Sequence, residues 1–336
     1  MATDQLTRFL FDGLPVRGAL VRLEHAWGEL LQRRAQTQPY AEPVQRLLGE
    51  ALAASVLLQS SIRFEGKLIL QIAGDGPVSL LVAEVRQDNR LRATATVRGE
   101  VPADAGLNAL INLGGQGRCA LILEPEPRAP GQQAYQGVVP LADEAGTPVP
   151  SVAQALKHYM AQSEQLDTQL VLAANAQVAA GMLLQRMPVS GAGNLGGHTG
   201  PSVALGEHEA FNRLAMLMAS LTEQELLQLP PNDWLHRLFW NDPHQILPQD
   251  ALATPRFGCN CSRQRVMGML QGLGQQETES VLAEQGQVQV GCEFCGAQYT
   301  FDAVDAAQLF TTNPATKTSP LLSRSRSLFS FTVYGL

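Results

Sequence analysis

"FGCNCSRQRVMGML", residues Phe257–Leu270, places Cys259 and Cys261 one residue apart in a chain that has only five cysteines. A disulfide, a metal site and a redox switch would each bring two sulfur atoms this close together. The first residues lack the basic and apolar segments of a signal peptide, so we expect a cytoplasmic protein. Thiols stay reduced in that compartment, which disfavours a permanent disulfide between the two cysteines.

A second close pair of cysteines, Cys292 and Cys295, follows 30 residues later in "GCEFCG". Four thiolates in two close pairs suit the tetrahedral coordination of Zn²⁺. We therefore predict one Zn²⁺ with Cys259, Cys261, Cys292 and Cys295 as its ligands. Four sulfur ligands close the coordination shell, so no catalytic residues are expected and the protein should not be an enzyme. The alternative from the residues alone is four unrelated buried thiols.

The segment around these cysteines, residues 250–310, is close to the size below which a core rarely supports itself. A structural zinc contributes on the order of 10–16 kcal/mol of apparent binding free energy in small peptides, so the segment should unfold without its metal. The two sulfur atoms of the C-x-C pair would come within disulfide reach once the metal leaves. Positive charge close by in sequence should favour their thiolate form, and it comes from Arg256, Arg263 and Arg265. This spacing is compatible with a redox switch and with a static zinc ribbon.

The first part of the chain, residues 1–188, predicts an α+β core domain with helices and an antiparallel-rich sheet. One long apolar helix is expected over Glu42–Ile62, with Pro43 tolerated in its first turn, and a second helix should be capped by Ser151. Cys119 is interpreted as a buried core residue. Apolar runs between turn signals predict strands at or near Val16–Leu23, Ile62–Val85, Arg90–Gly99, Cys119, Tyr135 and Thr168–Pro188.

Residues 189–249 predict a Gly-rich loop, Val189–Gly206, followed by a metastable helical linker. The motif "GAGNLG" (Gly191–Gly196) has no βαβ setting, so we interpret it as linker and not as a dinucleotide site. Thr222 and Glu225 have the spacing of a capping box. Short helices need a partner surface, so this segment is suited to covering apolar surface on its neighbours; an ordinary helical subdomain is the alternative. The helices are expected over Phe211–Ser220, from Thr222 to Pro230, and over Asn232–Trp240.

Charge limits the classes of partner. The formal net charge is −7 and the isoelectric point is about 5.4, which disfavours nucleic-acid binding. No apolar stretch is long enough for a membrane span. Residues 311–336 hold three basic and no acidic residues and are expected to form a disordered tail. That tail and "CSRQR" (Cys261–Arg265) support the alternative function, a static zinc-ribbon nucleic-acid-binding protein.

The segment Phe257–Ala303 resembles the family of the 33 kDa chaperonin (heat shock protein 33), because it keeps the C-x-C pair, the 30-residue gap and the C-x₂-C pair in order. The resemblance extends from about Leu6 to Phe310 and stops before the tail. Further segments that resemble the family are "LGEALAAS" (Leu48–Ser55), "LQIAGDGPVSLLVAE" (Leu70–Glu84), "YMAQSEQL" (Tyr159–Leu166) and "NDWLHRLFW" (Asn232–Trp240).

The resemblance implies a redox-regulated, ATP-independent chaperone (a holdase) that binds unfolding client proteins under oxidative stress. Its reduced, zinc-bound form would be dormant. Oxidation would form the disulfides Cys259–Cys261 and Cys292–Cys295, release zinc, unfold the small module and disorder the neighbouring region, about Glu207–Gly258. Exposed apolar surface would then bind clients, and the active form would be a homodimer.

Overall fold

The structure is a computed structural model, and it describes residues 4–62, 64–129, 131–188, 201–248, 254–311 and 331–334. The chain forms two compact units. Unit 1 comprises Met1–Gln32 and Pro39–Gly258, and unit 2 comprises Arg33–Gln38 and Cys259–Leu336. Helices and strands are mixed along the chain, and the sheets are antiparallel apart from one strand pair. The predicted α+β class is therefore confirmed.

Two sheets form the framework of unit 1 among the described residues. Their strands are β1 (Gln5–Phe11), β2 (Val16–Leu23), β3 (Gly66–Ala73), β4 (Val78–Arg86), β5 (Arg90–Val97), β6 (Arg118–Pro125), β7 (Tyr135–Pro140), β8 (Thr168–Ala174), β9 (Ala179–Arg186), β10 (His244–Ile246) and β11 (Arg256–Phe257). The strand orders are β10-β1-β2-β9-β8 and β11-β5-β4-β3-β6-β7. Strands β2 to β9 occur where the sequence predicts them, whereas β1, β10 and β11 are additional.

The long helix predicted from the apolar run lies at the centre of unit 1. The helices up to Gly258 are α1 (His25–Ala35), α2 (Glu42–Ser61), α3 (Leu107–Ile111), α4 (Val152–Ser163), α5 (Pro201–Ala219), α6 (Glu223–Gln228) and α7 (Pro231–Phe239). Helix α2 contacts strands of both sheets and is buried on nearly every side. Ser151 caps α4 as predicted, accepting a hydrogen bond from the amide of Gln154 (3.3 Å). In the described part of the chain, we find no helix with the length and apolar character that crossing a bilayer requires.

Helices α5, α6 and α7 cover one face of the five-stranded sheet and form a second apolar cluster with it. The rings of Phe11 in β1 and Phe239 in α7 meet edge to face with centroids 5.1 Å apart, and Trp234 is fully buried. The predicted marginal helices thus have the partner surface that such short helices need. The other helix residues buried in this cluster are Phe211, Leu214, Met218, Leu226, Leu235 and Leu238, and Leu221, between α5 and α6, is buried with them.

The first of these helices is longer than the sequence predicts. Helix α5 begins at Pro201, inside the segment expected to be loop up to Gly206, and not at Phe211. The fixed backbone angle of proline suits the first turn of a helix, and the residues after Pro201 include good helix formers. The motif "GAGNLG" lies outside the described residues.

Polar contacts hold both ends of α6. The predicted capping box is present: Thr222 Oγ1 accepts from the amide of Glu225 (3.3 Å), and the Glu225 carboxylate accepts from the amide of Thr222 (2.9 Å). At the other end, the guanidinium of Arg22 in β2 donates to the carbonyl oxygens of Leu226 (3.0 Å) and Leu227 (2.9 Å). A cation at the helix C-terminus satisfies carbonyls that have no partner in the helix, and it interacts favourably with the helix dipole.

Unit 2 has a much smaller core than unit 1. Its elements are α8 (Arg263–Leu273), α9 (Gln275–Gln285), β12 (Val288–Cys292), β13 (Gln298–Phe301), α10 (Ala303–Thr311) and β14 (Phe331–Tyr334). The three strands form an antiparallel sheet in the order β13-β12-β14. The buried apolar cluster contains Val266, Leu270, Val281, Val288, Val290, Phe301 and Leu309.

Strand β14 differs from the expectation of a disordered tail over residues 311–336. Four of those residues, Phe331–Tyr334, pair with β12. The run is rich in aromatic and β-branched residues, which favour strands. Residues 312–330 lie outside the described part of the chain.

A buried ion pair should be important for the stability of unit 1. Arg92 in β5 and Glu84 in β4 lie 2.7 Å apart, and their side chains are only 4% and 3% exposed. The variant Glu84→Gln leaves the arginine charge in the core without its carboxylate. We expect it to lower the free energy of unfolding by about 3–5 kcal/mol, measured by urea denaturation. As a matched control on a half-exposed pair, Asp167→Asn removes the partner of Arg186 and should cost at most about 1 kcal/mol. Equal losses would contradict the argument.

The contact between Arg22 and α6 should control how often that helix opens. In Arg22→Met the carbonyls at the end of α6 lose their donors, so we expect amide exchange within α6 to increase by about tenfold. Hydrogen exchange followed by mass spectrometry measures this. Arg17→Met is the control, because Arg17 lies on the same strand but donates to Gln185. Unchanged exchange in α6 of the Arg22 variant would refute the prediction.

Candidate metal centre

The first cysteine pair lies in a short connection between a strand and a helix. The amide of Gly258, next to β11, donates to a carbonyl of β5 (3.0 Å), and Cys259 follows. Ser262, directly after Cys261, caps α8 and accepts a hydrogen bond from the amide of Arg265 (3.3 Å). Both cysteines are therefore held between two regular elements.

The second pair lies in a tight turn between β12 and β13. Cys292 ends β12; its amide donates to the carbonyl of Ala297 (2.9 Å), and its carbonyl accepts from the amide of Gly296 (2.8 Å). Gly296 has a φ of 71°, in the left-handed region that glycine adopts without strain. This turn brings Cys295 back beside Cys292, as the glycine in "GCEFCG" suggests.

The four sulfur atoms meet at one point and fit a tetrahedral metal. Their Sγ atoms all lie within 4.8 Å of one another; the separations Cys259–Cys292 and Cys261–Cys295 are 3.7 and 3.2 Å. A tetrahedral Zn²⁺ with bonds of about 2.3 Å requires sulfur–sulfur distances of about 3.8 Å, whereas a disulfide requires about 2.05 Å. None of the four cysteines forms a disulfide here. The donor set could hold zinc, and Cys292 and Cys295 are buried.

The thiols change one another's acidity. Hydrogen bonds with Cys261, Cys292 and Cys295 lower the pKa of Cys259. Hydrogen bonds with Cys259 and Cys261 raise the pKa of Cys292 and that of Cys295. Cys259 acts to raise the pKa of Cys261, but hydrogen bonds with Cys292 and Cys295 lower it, to about 6. Thiolates are thus favoured at the first pair and opposed at the second. A divalent cation supplies the charge that would keep all four sulfur atoms as thiolates.

Tyr299 in β13 is a neighbour of the cluster that the cysteine spacing does not reveal. Burial, and next a hydrogen bond with Cys261, raise the pKa of Tyr299. The hydroxyl therefore keeps its proton and can donate it to the sulfur. The register of the sheet, with Tyr299 opposite Val290 of β12, is the signal that could have identified it.

The arginines near the C-x-C pair have other partners. Arg256 donates to Asp88 (3.2 Å) in unit 1, and Arg263 is paired with Asp305 (2.7 Å) in unit 2. The largest causes of the lowered pKa of Cys259 are the neighbouring thiols. The expected effect of the arginines on thiolate formation is therefore secondary.

The fifth cysteine, Cys119 in β6, has the surroundings of an unreactive core residue. Its side chain is fully buried, and burial raises the pKa of the Cys119 thiol to about 12. Because the thiolate is the reactive form, this residue is protected from oxidants at neutral pH. The prediction of a buried core cysteine is confirmed.

Comparison with known proteins gives a consistent result. The family model described as "Hsp33 protein" matches residues 4–302. The "33 kDa chaperonin" of Chromobacterium violaceum is 45% identical over 307 residues, which cover 91% of this chain and 94% of the relative. The "33 kDa chaperonin" of Shewanella woodyi is 37% identical over 319 residues, which cover 95% and 99%.

The fold also has a counterpart among solved structures. The crystal structure of the 33 kDa chaperonin (heat shock protein 33 homolog) from Thermotoga maritima aligns with a TM-score of 0.68 at 20% identity. The alignment covers 90% of this chain and 97% of that structure, so the two share their fold. Together with the match to residues 4–302, the sequence relatives show that the chain belongs to the Hsp33 family.

Proposed function

We propose that this protein is a redox-regulated, ATP-independent holdase that binds unfolding proteins under oxidative stress. Membership of a chaperone family supports a chaperone function. The observation that carries the redox proposal is that four thiols from two close pairs, none of them in a disulfide, lie within 4.8 Å of one another. Cys259, Cys261, Cys292 and Cys295 are proposed to hold one Zn²⁺ in the reduced, dormant form. Bound zinc would keep these thiolates together and stabilise the small core of unit 2.

The proposed oxidation involves two thiols and one peroxide for each disulfide. A thiolate, such as that of Cys259, attacks one peroxide oxygen, the O–O bond breaks and a sulfenic acid forms, while the other oxygen leaves as hydroxide and takes a proton from solvent. The thiolate of Cys261 then attacks the sulfenic sulfur, the S–O bond breaks and the disulfide forms, while the departing hydroxide takes a second proton from solvent. Cys292 and Cys295 react in the same way. Family resemblance and closeness along the chain support these pairings, although the 3.7 and 3.2 Å contacts run between the two pairs.

Disulfide formation removes thiolate ligands and so weakens metal binding. Unit 2 has only a few buried apolar residues to hold it together, so it should unfold when the metal leaves. Helices α5 to α7 are proposed to loosen afterwards and expose apolar residues that now face the five-stranded sheet. This exposed surface would bind the apolar segments of client proteins. We further propose that the protein acts in the cytoplasm and that its active form is a homodimer, as the family resemblance suggests.

The alternative, a static zinc-ribbon nucleic-acid binder, has less support. The chain is acidic overall, and Arg256 and Arg263 each have a carboxylate partner. This alternative expects salt-dependent binding of nucleic acid by the reduced protein. Absence of binding at low salt would exclude it.

Oxidation should activate the chaperone and release zinc together. We expect peroxide at mildly elevated temperature to release about one zinc per chain. The treated protein should suppress aggregation of a thermally unfolding client, measured by light scattering, whereas the reduced protein should not. The control variant Cys119→Ala should respond like the wild type, since that thiol is fully buried. If oxidised, zinc-free protein suppresses aggregation no better than reduced protein, the proposed function is wrong.

Removal of the metal alone should unfold unit 2 and leave unit 1 folded. The reason is the difference in core size between the units. A chelator added to reduced protein should abolish amide protection in α8 and β12 and leave that of α2 unchanged, as measured by hydrogen exchange. The variant Cys292→Ser should show the same pattern without chelator. Equal protection of α8 and β12 with and without chelator would show that zinc does not hold this unit folded.

A further inference from the structure

The sheet of unit 2 depends on a segment that lies outside the family match. The family model ends at residue 302, yet Phe331–Tyr334 forms the third strand of this sheet. Strand β12 lies in the middle, with β13 on one side and β14 on the other. The C-terminal segment therefore adds to the family fold at the unit that carries the cysteines.

The pairing reaches a proposed metal ligand. In the register of β12 with β14, Val290 is opposite Val333 and Cys292 is opposite Phe331. The backbone of Cys292 thus lies in the ladder with β14, and its amide also bonds to the carbonyl of Ala297 in the turn. Any restraint on β12 is a restraint on the position of this cysteine.

Without β14, the unit would keep only a two-stranded hairpin, and one edge of β12 would be open. An isolated hairpin is at best marginally stable, and an open edge readily pairs with other chains. An extended segment satisfies the backbone groups of such an edge by strand addition. The last residues, "SLFSFTVYGL" (Ser327–Leu336), contain no charged residue and are rich in strand-forming residues, which suits them to this edge.

We propose that the C-terminal strand β14 is an intramolecular clasp on the metal centre. It occupies the open edge of β12, holds the backbone of Cys292 and slows both zinc loss and the opening of unit 2. This inference rests on the proposed zinc site. The clasp makes the C-terminal segment a regulator of the switch, because a centre that opens less often gives oxidants less access to its thiolates.

The test uses the full chain and two proline variants. The double variant Thr332→Pro/Val333→Pro removes two successive amide donors from β14, whichever of them faces β12. Thr318→Pro/Ser319→Pro places the same change in the tail outside β14. For the first variant only, we expect zinc release to excess chelator to be about tenfold faster and amide exchange in β12 to be faster. A rate change of this size corresponds to the loss of a few hydrogen bonds between β12 and β14. The same rates in both variants and the wild type would overturn the clasp.

A truncated chain and an added peptide test the same strand in two other ways. A chain ending at Ser330 should release zinc as fast as the β14 variant, and the synthetic peptide Ser327–Leu336 added in excess should slow that release. If the truncated chain releases zinc no faster than the wild type and the peptide has no effect, the proposal is wrong. A release rate that depends on protein concentration would show that a second copy supplies the strand, which would contradict an intramolecular clasp. Wild-type protein that binds no zinc would refute the proposed function as well. Wild-type protein that binds zinc but ignores β14 would refute the clasp alone.

Discussion

The structure of unit 2 depends on the meeting of four sulfur atoms from two distant segments of the chain. The cluster joins the segment before α8 to the turn between β12 and β13, across 30 residues of sequence, while the apolar cluster found among the described residues of this unit contains seven buried residues. A core of this size is small for a self-supporting unit, so a metal held by the four sulfur atoms, as proposed, would be a main source of its stability. Chemistry that changes the charge or bonding of the sulfur atoms would then also change the folding of the unit.

Unit 1 has a large apolar core and no need of a metal to stabilise it, and that contrast with unit 2 would give the proposed switch its direction. Helix α2 is enclosed by strands of both sheets, so the main core does not depend on metal. Helices α5 to α7 are intermediate: they bury large side chains against the five-stranded sheet, but α6 and α7 are too short to be stable alone. We therefore expect local stability to decrease from α2 to the short helices, among which α7 buries the large side chains of Trp234 and Phe239.

The sequence predicted the elements whose signals are local. The apolar run of α2 and the capping box at Thr222 depend on nearby residues, and each was found as predicted. Signals that depend on tertiary contacts were missed. Arg22 is far from α6 in sequence, Tyr299 approaches the sulfur atoms only through strand register, and β14 needs the edge of β12 in order to form. Spacing predicted which cysteines belong together, but it could not predict their neighbours.

The link between the sulfur atoms and the helices of unit 1 is covalent and lies at a weak point of the fold. Strand β11 has only two residues, and its parallel pairing with β5 is accompanied by bonds from the amides of Arg256 and Gly258 to Asn89 and Leu91 (3.0 Å each). Cys259 is the next residue, so disorder at the first cysteine pair can spread to β11 at the cost of very few hydrogen bonds. A long, well-paired strand at this position would confine unfolding to unit 2. The shortness of β11 therefore suits a chain in which loss of order at the cysteines is passed on towards α7.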